Sequence, residues 1–239
     1  MLKHLPNLLT LANSLAGAFA IYFALYHSDL KRAMIAILLA AVLDFFDGFA
    51  ARLLKAFSPL GKDLDSLSDV VSFGVAPAVM MVVALEAIHF ATPWVALLIV
   101  PASVYRLAKF NNDTRQSVTF IGLPTPANAL FFGGLSYWIL QLSTDLQALP
   151  IMIEYKAYPM YYLVILGMCY LLVSEVPMFS LKGAGADGPQ TKRWHGIKVG
   201  SVVVVAIIGL LLWSFSGFAL AILLYILINL WDHLKSRIP

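Results

Sequence analysis

Residues 43–77 read LDFFDGFAARLLKAFSPLGKDLDSLSDVVSFGVAP and carry five of the thirteen acidic residues in the chain. Four of these, Asp44, Asp47, Asp65 and Asp69, stand at helical spacings, i and i+3 for the first pair and i and i+4 for the second. Each pair therefore shares one face of a helix. Phe57-Ser58-Pro59-Leu60-Gly61 interrupts the pattern and turns the chain. Two helices in a hairpin would bring all four carboxylates to one spot. Like charges that close repel, and a divalent cation, or a pair, is the simplest way to keep them ionised.

The flanks decide the setting of this cluster. Ile35 to Leu43 is apolar throughout, and Val70 to Leu85 nearly so. Carboxylates within membrane-spanning sequence are costly and mark function. Asp63 is out of phase with the other four and reads as a solvated residue. Over the whole chain, 61% of residues are hydrophobic and 12% are charged. A soluble domain has about 25% charged residues, so the expectation is an all-α, polytopic transmembrane bundle forming a single integral-membrane domain over residues 1–239. A net charge of +3 gives no reason to expect nucleic-acid binding. The lone cysteine, Cys169, lies in apolar sequence and reads as a small core residue.

About eight spans are expected. The first is an uncleaved helix from Pro6-Asn7 to Tyr26, because Thr10, Asn13 and Ser14 interrupt what would otherwise resemble a signal peptide. The others fall near Ala33–Leu54, Leu67–Ala87, Trp94–Ala108, Ala127–Leu142, Tyr161–Phe179, Ile197–Phe215 and Phe218–Trp231, with a tight hairpin at Ser214–Gly217. With both termini on the cytoplasmic side, 13 of the Lys and Arg residues lie there and 3 (Lys31, Arg32 and Lys156) lie on the other side. This places the aspartate hairpin at the cytoplasmic face, most simply of the cytoplasmic (inner) membrane. Helical rise puts Asp44 roughly 12 Å inside Arg52, in a cavity of the cytoplasmic half.

Other residues have a plain reading and a functional one. Gly48 and Ala51 suit close helix packing, Arg52 suits an anchor at a helix end, and Asn7 suits a helix cap with Thr10 one turn on. Arg106 and Lys109, i and i+3 at the end of a span, suit topology signals, yet one helix face then offers two cations to an anionic lipid or a carboxylate. Glu175 is expected to pair with Lys182, and Gly183–Gly188 reads as a flexible connector. The five histidines show no zinc spacing.

The spacing D-x-x-D-G-x-x-A-R, eight residues, G-x-x-x-D-x-x-x-D is filled by Asp44, Asp47, Gly48, Ala51, Arg52, Gly61, Asp65 and Asp69. It resembles the signature of the CDP-alcohol phosphatidyltransferases. Arg106-x-x-Lys109-Phe110-Asn111, Phe120-x-Gly122-Leu123-Pro124-x-Pro126-Ala127 and Ser68 to Pro77 resemble the phosphatidylserine-forming branch, with Lys109 standing where that branch often has arginine. Lysine keeps the charge but lacks the bidentate fork.

The resemblance implies transfer of a phosphatidyl group from CDP-diacylglycerol to the hydroxyl of L-serine, releasing CMP within a membrane of lipids. It implies Asp44, Asp47, Asp65 and Asp69 around divalent metal, Mg2+ or Mn2+ and two ions, with Asp69 as the base. It further implies Asn7, Thr10, Asp47, Gly48, Ala51, Arg52 and Gly61 around the nucleotide diphosphate, Arg106 or Lys109 at the acceptor or lipid phosphate, and a homodimer. Two alternatives stay open: a sister enzyme using glycerol phosphate or inositol phosphate, whose extra phosphate Arg106, Lys109 and Arg115 would serve, and a cation transporter. The transporter reading expects carboxylates at the midplane and paired broken helices, and the second half of the chain has no matching acidic pair.

Overall fold

In the computed structural model, residues 4–112, 120–145, 151–179 and 189–235 are described. The side chains of Lys156, Lys192 and Arg193, together with Lys3, Arg115, Lys182, the 183–188 connector and Arg237, lie outside the described residues. The fold is all-α, as expected. Its helices are α1 (Leu5–His27), α2 (Leu30–Leu53), α3 (Pro59–Asp69), α4 (Ala76–Ala87), α5 (Ile99–Asn112), α6 (Thr125–Asp145), α7 (Ile151–Val173), α8 (Pro189–Trp213) and α9 (Ser216–Lys235). Among the described residues, six helical stretches have the length and composition to cross a membrane, α3 and α4 counting as one stretch of 29 residues. The protein is an integral membrane helix bundle.

Local sequence explains the breaks. Ser28, in the left-handed conformation, ends α1, and Asp29 caps α2 by accepting a hydrogen bond from the Arg32 N–H at 2.9 Å. Lys55, also left-handed, turns the chain after α2. Ser58 then caps α3, its Oγ accepting from the Gly61 N–H at 3.0 Å, with Pro59 in the first turn. The helix thus starts at Pro59 rather than at Leu67, where apolarity alone would begin it. It continues through a π-helical segment, Val70–Val75, into α4. A wide turn of this kind inside an α-helix is often found at a functional site.

A second correction concerns the sixth expected span. Its helix ends at Val173, and Pro177–Met178 forms a short strand, β2, paired antiparallel with β1, Phe120–Ile121. Proline has no N–H to give a helix and pushes the residue before it out of helical geometry. The hairpin at Ser214–Gly217 is present, between Trp213 and Ser216.

Packing uses small residues, as expected where lipid removes the hydrophobic drive for helices to associate. Ala16, Ala20 and Ala24 of α1 and Ala33, Ile37 and Ala40 of α2 are buried in the central core, with Met80, Met81 and Phe132 of α4 and α6. A side chain at Gly133 would meet Met34 Sδ at 2.6 Å. Leu8, Leu11, Leu15 and many residues of α8 are exposed and apolar, facing the lipid.

Candidate active site

α2 and α3 form the expected hairpin. One oxygen from each of Asp44, Asp47 and Asp65 lies within 4.8 Å of the others. Asp47 is buried, while Asp44 and Asp65 are half-buried. Asp69, one turn beyond Asp65, is buried beside this trio but stands outside it. Asp63 is exposed. Among the described residues, neither Asp47 nor Asp65 forms an ion pair with a lysine or arginine. Converging carboxylate oxygens are the donor set that Mg2+ and similar hard cations take, so Asp44, Asp47 and Asp65 fit a divalent metal.

α1 supplies the wall. The Thr10 hydroxyl lies 2.7 Å from Asp47 Oδ2, as its donor, and 3.0 Å from the Pro6 carbonyl. Asn13, one turn on, donates from Nδ2 to Asp69 Oδ1 across 3.4 Å. Ser72, in the π segment, donates to the Asn13 carbonyl at 2.9 Å. Gly17 makes this approach possible, because a Cβ there would lie 2.4 Å from Ser72 Oγ and 2.7 Å from Ser72 Cα. Asn7 lies within the first turn of α1 and makes no side-chain cap, so the capping explanation does not hold. Its Oδ1 instead faces α3, 3.2 Å from where a Gly61 Cβ would stand. Gly48 borders open space, with nothing within 4 Å of an added Cβ. Ala51 is half-buried on the same helix and Arg52 is exposed in its last turn.

The two cations of α5 part company. Arg106 is buried, its Nε donating to the Leu123 carbonyl and its guanidinium 5.4 Å from the centre of the Phe110 ring. It lies within the electrostatic reach of Asp69 and Tyr225. Lys109, less buried, pairs with Glu175 at 3.1 Å. Glu175 thus has a partner from α5; Lys182, its expected partner, lies outside the described residues. The end of α5 is also tied to α3: Lys62 Nζ donates to the Asn111 carbonyl at 2.7 Å, and Asn111 Nδ2 to Ser66 Oγ at 2.6 Å.

A strap holds Arg106 from behind. Leu123 N donates to the Leu171 carbonyl at 3.0 Å and Gly122 N to the Val176 carbonyl at 2.9 Å. Asn229 Oδ1 accepts from Phe179 N at 2.8 Å, and Tyr225 donates to the Phe179 carbonyl at 3.0 Å. The C-terminal helix α9 is thereby linked through β2 and β1 to the carbonyl that Arg106 grips.

Sequence reading gave Asn13 no site role, and it marked Ser72 and the Gly122-Leu123 turn only as parts of branch-like segments, without their contacts. Asn13 had a usable signal, being polar in an apolar run and i+3 from Thr10. Tyr225 and Asn229 had none, since only the fold brings them near.

Comparison with known proteins agrees with this arrangement. The family model described as CDP-alcohol phosphatidyltransferase matches residues 3–157. The chain is 34% identical over 195 residues to a Bacillus subtilis (strain 168) protein named CDP-diacylglycerol–serine O-phosphatidyltransferase, covering 81% of this chain and 100% of that one. It is 38% identical over 191 residues to the Mycobacterium leprae (strain TN) protein of the same name, covering 74% of this chain and 58% of that one. An archaetidylserine synthase of Methanothermobacter thermautotrophicus is 32% identical over 185 residues, covering 77% of this chain and 72% of the relative. With more than half of its length matched and the aspartate hairpin folded as that signature requires, the chain belongs to the CDP-alcohol phosphatidyltransferase family.

Proposed function

We propose that the protein transfers the phosphatidyl group of CDP-diacylglycerol to the hydroxyl of L-serine, giving phosphatidylserine and CMP. The observation that carries this reading is the convergence of Asp44, Asp47 and Asp65 to within 4.8 Å, with Asp69 one turn beyond Asp65. Serine as the acceptor is supported by the names of the relatives, two of which act on serine and CDP-diacylglycerol.

Asp44, Asp47 and Asp65 would hold Mg2+ or Mn2+, two ions in all, with Asp69 at the edge of that set. Such ions, when bound, supply charge neutralisation for the diphosphate. The chain's own residues do the rest. Gly48 and Ala51 leave room for the nucleotide, and Asn7, Thr10, Asp47, Arg52 and Gly61 border it. The buried Arg106 presents a fixed positive charge to the serine carboxylate, and Lys109 contributes at the rim where Glu175 shares it. Asp69 accepts the proton of the serine hydroxyl. The serine oxygen then bonds to the phosphorus that bears the diacylglycerol, and the bond from that phosphorus to the CMP oxygen breaks. The site faces the cytoplasm, at the cytoplasmic membrane, with both termini on that side. Residues 1–239 act as one domain, and two copies associate as a homodimer.

The test is an acceptor panel. Purified protein in detergent or nanodiscs is given CDP-diacylglycerol with serine, glycerol 3-phosphate or inositol phosphate, and the lipid product is identified by mass spectrometry. Phosphatidylserine formed selectively from serine supports the reading. A phosphorylated lipid formed from either phosphate acceptor in its place assigns the chain to a sister activity.

A further inference from the structure

Asn13 is wholly buried in the middle of α1, and its Nδ2 faces Asp69 Oδ1 at 3.4 Å. Its own Oδ1 is buried with no partner among the described residues. Nothing but Asp69 therefore sets the orientation of this amide: turned over, it would put one oxygen against another. The backbone beneath is fixed as well, because Ser72 bonds to the Asn13 carbonyl and Gly17 lets the two helices touch. Thr10 performs the parallel task one turn earlier, donating to Asp47. One stripe of α1 thus holds a carboxylate from each arm of the hairpin.

The two contacts differ in what they hold. Asp47 belongs to the trio that converges within 4.8 Å, and Asp69 does not. An amide is a neutral donor. It turns a carboxylate and shields it from its acidic neighbours without cancelling its charge, as a lysine there would. A bond at 3.4 Å is long, and such contacts in a free enzyme shorten when substrate arrives.

We infer that Asn13 is a positioning residue that holds one Asp69 oxygen toward α1, keeping Asp69 out of the metal trio and its other oxygen turned to the acceptor hydroxyl. This rests on the reading of Asp69 as the base. Asn13 does not itself touch the reacting atoms.

The test uses Asn13→Leu and the smaller, uncharged Asn13→Ala in the full-length protein. Readouts are kcat, KM for serine, KM for CDP-diacylglycerol, and Mn2+ affinity by electron paramagnetic resonance. Loss of one hydrogen bond to a charged group predicts a fall in kcat of roughly 10–100-fold in both variants, with both KM values and Mn2+ affinity within about twofold. Turnover within threefold of wild type in either folded variant overturns the inference, as does loss of Mn2+ and nucleotide binding in step with kcat. Asn13→Ala keeps the test open if the leucine variant does not fold. Asp69→Asn is measured alongside. Near-normal turnover there overturns the base assignment and the Asn13 role together, whereas low turnover there with normal turnover in the Asn13 variants overturns the Asn13 role alone.

Discussion

Thr10 and Asp47 meet across the packed faces of α1 and α2, hydroxyl to carboxylate oxygen, at 2.7 Å. Both side chains are buried. The Thr10 hydroxyl holds Asp47 in the orientation it has in the trio, and a hydrogen bond to a charged group is worth about 1.5–3 kcal/mol. Thr10→Val, which keeps the shape and removes the hydroxyl, should therefore weaken divalent-metal affinity by about tenfold or more. Thr10→Ser should restore most of it. Mn2+ titration followed by electron paramagnetic resonance checks both, and equal affinity in wild type and Thr10→Val would remove this contact from the account of the metal site.

Asp44 and Asp69 should fail in different ways. General-base catalysis contributes about 10²–10⁴-fold, so Asp69→Asn should lower kcat by about that factor while CDP-diacylglycerol still binds. Asp44→Asn should weaken metal and nucleotide binding as well. Turnover and nucleotide affinity measured on both variants separate the roles, and identical losses in the two would make Asp69 chiefly a ligand.

On sequence alone, Arg106 and Lys109 look equivalent, one turn apart on one face. The structure separates them: Arg106 points into the bundle toward the Leu123 carbonyl, and Lys109 is drawn to Glu175 at 3.1 Å. Arg106→Lys should raise the KM for serine by about tenfold and leave that for CDP-diacylglycerol near normal, since lysine lacks the planar fork. Lys109→Ala should have the smaller effect of the two. Steady-state kinetics with each substrate varied in turn checks the order, and a larger serine defect in Lys109→Ala would reverse the assignment.

Most of the metal hairpin was legible because helical periodicity alone fixes which residues share a face. Asp44, Asp47 and Asp65 needed only a turn between them, and Ser58-Pro59 announces it. What stayed hidden depended on distant pairings. Nothing local shows that Glu175 faces Lys109, which lies 66 positions earlier on another helix. Apolarity alone likewise misses the first turns of α3, which starts at Pro59, eight residues before Leu67. Asn13 lay between these cases: its spacing from Thr10 was visible, but its partner Asp69 is 56 positions away.

The strap gives a further test. Gly122 has a φ of +77°, and a Cβ there would stand 2.8 Å from the Ser174 carbonyl oxygen. Its neighbour Leu123 provides the carbonyl that Arg106 grips. Gly122→Ala should destabilise the protein by roughly 1–3 kcal/mol and raise the KM for serine more than that for CDP-diacylglycerol. Thermal unfolding in detergent and the two KM values check this. An unchanged serine KM in a destabilised variant would separate the strap from the site.

The central claim, that serine displaces CMP at the aspartate hairpin with the help of a divalent ion, is tested most directly by following both products in one tube. Purified protein is incubated with CDP-diacylglycerol and isotopically labelled serine, and CMP and labelled lipid are quantified with and without chelator. The account predicts one CMP for each labelled phosphatidylserine, both abolished by excess chelator and both restored by Mg2+ or Mn2+. Labelled phosphatidylserine formed at the full rate in excess chelator, or CMP released with no serine-labelled lipid, would contradict it.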